Sequence, residues 1–178
     1  MPVRNSKGFT LIEVIVVAGI IAVLAGILVP LIFKEIDESK TSRAMADARS
    51  ISSAMIVFKK DTGNWPVSAS CANSSTLTML HGAGTLPTFN QLGWDSSNPE
   101  DIGMFLNSDA YNCWPTTWKG PYMAYVTMDP WGHSYIINAA DFLTTNPVWI
   151  MSAGPNGIID TNATVANPQG DDIGIRLK

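Results

Sequence analysis

The 178 residues suffice for one domain with a proper core and fall short of two large ones. Only 15% are charged, against roughly 25% in ordinary soluble domains, while 46% are hydrophobic, so the chain reads as partly buried in membrane or polymer. A net charge of −4 and a pI near 5.0 exclude a generally basic nucleic-acid binder, and the apolar content excludes disorder.

The apolar load sits near the N-terminus. Phe9 to Phe33 reads FTLIEVIVVAGIIAVLAGILVPLIF, with Glu13 as the single ionisable side chain. As a helix this run spans roughly 37 Å, enough to cross a ~30 Å hydrocarbon core. Before it stands MPVRNSKG, which carries Arg4 and Lys7 and no acid. That flank predicts a cytoplasmic N-terminus and a translocated C-terminal part. The competing reading is an ordinary secretory signal cleaved after Val23-Leu24-Ala25. Against it, Ile27, Leu28, Val29, Leu31, Ile32 and Phe33 carry the apolar run past Ala25, and Glu13 interrupts the would-be signal core. A carboxylate inside a span costs about 2.5–3.5 kcal/mol, so Glu13 calls for a partner or a function.

The junction Lys7-Gly8-Phe9-Thr10-Leu11-Ile12-Glu13 resembles the class III signal of type IV pilins and type II secretion pseudopilins. The resemblance implies cleavage after Gly8 by a prepilin peptidase and N-methylation of the new terminal Phe9. It also supplies the missing partner. Glu13, fifth in the mature chain, would neutralise the Phe9 ammonium of a neighbouring subunit, in keeping with the rule that buried charges come paired. Pro30 matches the family's helix-disrupting proline and, with Gly26 one turn earlier, should loosen the helix locally.

After Lys34 the composition turns to mixed charge, and no helix breaker appears before Gly63 and Pro66. Ala44, Ala48, Ile51, Met55 and Phe58 recur at helical spacing as one apolar stripe, which predicts core rather than a cofactor box. The helix is therefore expected from about Thr10 to Asp61, with Gly63 as a left-handed cap. Asp61-Thr-Gly-Asn-Trp-Pro66 resembles the turn that follows the long helix in pseudopilins.

Val67 to Thr117 is a low-charge excursion without strong periodicity, apart from a short helix predicted at Glu100–Leu106. Its aromatics, Phe89, Trp94, Phe105, Tyr111 and Trp114, with Trp118 just beyond, predict an ordered, packed segment. Cys71 and Cys113 are the only cysteines. In an extracytoplasmic setting their disulfide is the default, closing a loop of about 43 residues worth on the order of 4 kcal/mol. Neither a zinc site nor a Cys71–His81 nucleophile pair finds support in the spacing. His133, like His81, reads as a surface or turn residue, and the sequons at Asn73 and Asn162 carry little weight in a prokaryote.

Strands are expected at Tyr135–Asn138, Val148–Ser152 and Ile173–Leu177, antiparallel and sufficient to cover the helix stripe. Asp129-Pro-Trp-Gly132 before the first is turn chemistry. With Trp118-Lys-Gly-Pro-Tyr122, it resembles the major pseudopilin of type II secretion more than pilins at large. Between the last two strands, Asn156, Asp160, Asp171 and Asp172 offer calcium-type oxygen chemistry on a glycine-bearing loop. The segment resembles the calcium loop of major pseudopilins. That match implies side-chain ligands from Asn156, Asp171 and Asp172 and backbone carbonyls from Ala153 and Gln169, with Asn156 standing where the family has aspartate. The bland alternative is a solvated turn loop.

These features define an expected α+β, type IV pilin-like fold, with one long N-terminal helix on a small antiparallel sheet of about three strands. The expected segments are leader 1–8, membrane or filament-core helix 9–33, amphipathic helix 34–62, excursion 63–122 and C-terminal sheet 123–178. The resemblance implies a non-enzymatic subunit of a periplasmic secretion pseudopilus anchored in the bacterial inner membrane before assembly. Its implied partners are copies of itself through the N-terminal helices, the prepilin peptidase/methyltransferase, the inner-membrane assembly platform and minor pseudopilins, with no nucleic acid. The alternative within this architecture is a pilin or minor pilin of a surface filament for adhesion, motility or DNA uptake. A singly anchored periplasmic enzyme is disfavoured, since no nucleophile–base set, phosphate loop or HExxH-type signature occurs.

Overall fold

One helix, α1 (Leu11–Thr62), accounts for the N-terminal third of the chain. The computed structural model describes residues 8–67, 71, 76–90 and 93–178. The leader residues Arg4 and Lys7 and the Asn73 sequon lie outside the described residues. Two compact units divide at Ser39.

In the first unit, every described residue from 8 to 39 is exposed, including the large apolar side chains from Phe9 to Phe33. The helix runs through Pro30 without interruption, although proline removes one backbone donor there. Among the described residues this is the one helix long and apolar enough to cross a membrane.

In the second unit, the predicted stripe is the buried face of α1: Ala44, Ala48, Ile51, Met55 and Phe58 are all 2% exposed or less. Full burial of Ile51, Met55 and Phe58 stabilises by about 1.5–3 kcal/mol each. The helix ends as expected, with Gly63 at φ +76° and its N–H donating to Lys59 O at 2.9 Å. Lys59 lies over the Trp65 ring at 5.6 Å.

The remaining elements are β1 (Met79–His81), β2 (Thr88–Phe89), β3 (Pro99–Asp101), the short α2 (Gly103–Leu106), β4 (Ile136–Ile137), β5 (Trp149–Ser152), β6 (Ile158–Ile159) and β7 (Ile173–Arg176). The three predicted strands are present as β4, β5 and β7, paired antiparallel. The sheet is larger and mixed, however: its order is β3-β1-β4-β5-β7, with β1 antiparallel to β4 and parallel to β3. A second, two-stranded sheet pairs β2 parallel with β6. The added strands come from the excursion and the calcium-type loop, where runs of two or three residues are too short to show a period of two. Glu100, expected in a helix, lies in β3, and the helix begins only at Gly103.

The excursion is ordered by its aromatics. Trp114 and Tyr122 meet Phe58 edge-on at 5.0 and 5.6 Å, and Trp118 Nε1 donates to Phe105 O at 3.0 Å. Tyr111 donates to Glu100, which pushes its phenol up to about 12. Cys71 and Cys113 form the expected disulfide.

Candidate functional site

Two places carry the expected chemistry: the Gly8–Glu13 junction and the loop after β5. At the junction, Glu13 Oε2 accepts from the Thr10 backbone N–H and from Thr10 Oγ1, both at 2.8 Å. The Glu13 N–H returns a bond to Thr10 Oγ1 at 3.3 Å. This reciprocal pair is a capping box, which satisfies donors that the first helical turn leaves open. Thr10 was not among the predicted site residues. Its signal was present as Thr-x-x-Glu directly ahead of an apolar run. Phe9 and Glu13 are both exposed, so the ring and the carboxylate are open to a neighbouring molecule.

The second place is built on a buried carboxylate, that of the Asp129-Pro-Trp-Gly132 turn. Asp129, 3% exposed, accepts from the N–H groups of Trp131 and His133 through Oδ1, at 3.0 and 2.8 Å. Its Oδ2 accepts from Ser152 Oγ at 2.6 Å, and Ser152 Oγ accepts from the Gly154 N–H at 3.2 Å. The turn before β4 thereby fixes the end of β5, where the loop departs. His133, expected as a surface or turn residue, closes the Asp129 turn; its side chain is 23% exposed and places Nδ1 3.9 Å from Asp129 Oδ1.

Beyond Ser152 the chain makes a short 3-10 turn, Gly154–Asn156, and passes through β6 into Asp160. Asp172 returns to it from the far side. Its Oδ2 accepts from the N–H groups of Asp160 and Thr161 at 2.9 and 2.6 Å. Its Oδ1 is buried without a hydrogen-bond partner among the described residues. Burial raises the Asp172 pKa, against the opposing pull of the Thr161 and Asp160 bonds. Thr161, fully buried and absent from the predicted set, also accepts the Gln169 N–H at 2.8 Å. Asp160 and Asp171 converge on the Asn156 side-chain nitrogen, at 3.2 and 2.6 Å. Gly154 has φ +62°, and a Cβ there would stand 2.3 Å from the Asp171 carbonyl oxygen. Only glycine lets the two arms of the loop approach so closely.

The structure thus brings Asn156, Asp160, Asp171 and Asp172 into one loop, with Gln169 tied to it through Thr161. Ala153 is fully buried at its base. Among the described residues no three His, Cys, Asp or Glu side chains gather as a metal cluster, so the oxygen set is mixed, with an amide among the carboxylates. Two features of the loop bear on a hard cation: one buried carboxylate oxygen has no hydrogen-bond partner among the described residues, and two further carboxylates accept from one neutral amide nitrogen.

A long N-terminal helix with an exposed apolar first half, capped by Glu13 and followed by a small α+β unit, is the architecture of a type IV pilin-like subunit. Residues 3–29 match the prokaryotic N-terminal methylation motif, and residues 96–168 match protein G of the type II secretion system. Three relatives are type II secretion system core protein G from different organisms. That of Pseudomonas aeruginosa is 29% identical, over 86% of this chain and 87% of its own. That of Escherichia coli is 27% identical, over 92% and 91%, and that of Klebsiella michiganensis 29%, over 92% and 94%. No solved structure matches. Over most of its length the chain is similar to these type II secretion system core proteins, and its N-terminal segment carries the methylation motif.

Proposed function

We propose that this chain is the repeating structural subunit of a type II secretion pseudopilus. The observation that carries this reading is the junction itself: an exposed Phe9, a Glu13 held at the helix start, and the largely apolar run Phe9–Phe33 with nothing of its own unit to cover it. Exposed apolar surface on that scale needs either lipid or other copies of the same helix. Before assembly the helix is anchored in the inner membrane, with the basic leader cytoplasmic and residues 40–178 in the periplasm. Cleavage after Gly8 frees the Phe9 amine. Glu13 then exchanges its own Thr10 donors for the Phe9 ammonium of the adjoining subunit, which turns a costly buried carboxylate into an ion pair. The role is mechanical rather than catalytic, with the assembly platform and minor pseudopilins as partners and folded proteins as the exported load. Glu13→Ala should leave cleavage intact and abolish the filament fraction in cells making the wild-type secretion machinery. Filaments at wild-type yield would contradict the pairing.

Calcium is the ion this reading places in the loop after β5. Asn156, Asp160, Asp171 and Asp172 would hold it, with the Ala153 and Gln169 carbonyls. When bound, the ion supplies positive charge that ties the two arms of the loop together. Ser152 and Asp129 set the position of the first arm, and Thr161 that of Asp172. An ion at about 100 times its Kd stabilises by about 2.7 kcal/mol, a rise of roughly 5–10 °C in Tm for a unit of this size. Equal Tm of the full chain in calcium and in chelator would overturn this assignment.

A further inference from the structure

Asn156 occupies the point where the negative charge of the loop is densest. Its side-chain nitrogen donates to Asp160 Oδ2 at 3.2 Å and to Asp171 Oδ1 at 2.6 Å. Its backbone N–H donates to Asp171 Oδ2 at 3.1 Å. The opposite edge of the same amide is also engaged, because Asn156 Oδ1 accepts the Ile158 N–H at 2.6 Å. That bond fixes which way the amide faces. The oxygen must meet the N–H donor, so the nitrogen must meet the carboxylates.

We propose that Asn156 is a built-in substitute for a cation, whose NH2 group bridges Asp160 and Asp171 and keeps the loop closed in the absence of metal. An aspartate at this position would set a third carboxylate against the other two, and the loop would then need a cation to close. Asparagine meets the same contacts with two N–H donors and no charge. One part of the inference rests on the calcium reading. For Asn156 to ligate through Oδ1, its amide must turn over and give up the Ile158 bond and both carboxylate bonds. The bridge therefore competes with the ion, and this chain depends less on calcium than a sequence with aspartate there.

The test compares melting of the full chain in detergent micelles, with chelator and with millimolar calcium, for wild type, Asn156→Asp and Asn156→Ser. In chelator both variants should melt below wild type, by about 3 °C or more. Calcium should raise Asn156→Asp most, because that variant gains a carboxylate and loses the competing bridge. The serine variant deletes the bridge without adding charge, and decides the matter should the aspartate variant fail to fold. If both variants melt like wild type in chelator, the bridge is refuted, whether or not wild type responds to calcium. If both melt lower while no protein responds to calcium, the bridge stands and the calcium assignment falls.

Discussion

Three donors from two separate segments converge on the Asp129 carboxylate: the N–H groups of Trp131 and His133 and the Ser152 hydroxyl. A buried group of this kind does more than close its own turn, since it sets where β5 ends and the candidate loop begins. Asp129→Ala removes the acceptor of all three donors, of which the Ser152 hydroxyl is buried and the Trp131 and His133 N–H groups are half-buried, and an unsatisfied buried donor costs about 1–3 kcal/mol. The variant should lose about 3 kcal/mol or more in urea unfolding, and a loss under 1 kcal/mol would contradict the role given to Asp129. Its turn was legible as Asp-Pro-x-Gly, whereas its link to Ser152, 23 residues away, was not. The same division runs through the loop. The acids and Asn156 stood out by type, while Thr161, which pins Asp172 and Gln169, carries no signal distinct from any other threonine. Thr10 is different, because its capping box with Glu13 was written in adjacent residues.

At the scale of elements, local periodicity made α1 legible almost to its ends, since its apolar stripe and glycine cap are consecutive features of one segment. The sheet was legible only in its antiparallel centre. Strands β1 and β3 pair parallel across about 20 residues of excursion, and no local pattern announces a pairing of that kind. The excursion is held by pairing of β1 with β4 and β2 with β6, by aromatic packing on Phe58 and by its disulfide. Replacing both cysteines with serine should therefore destabilise residues 40–178 by about 2–4 kcal/mol under oxidising conditions. Reductant should lower the Tm of wild type and leave the double variant unchanged. A Tm in the variant equal to that of oxidised wild type would show that packing alone orders the excursion.

For the whole molecule, the apolar surplus is concentrated in Phe9–Phe33, the run that the structure leaves exposed, whereas the low charge extends through the rest of the chain. Loss of the leader with Arg4 and Lys7 would move the net charge from −4 to −6, so the mature chain is more acidic than its precursor. A secretory signal and a filament-core helix share length and hydropathy, and differ in where the chain is cut and what becomes of the new amine. Mass spectrometry of the mature N-terminus from the native membrane tests this directly. The account predicts a chain that begins at N-methylated Phe9 and retains the whole apolar helix. A chain that begins at Gly26, with the run from Phe9 to Ala25 removed, would contradict it.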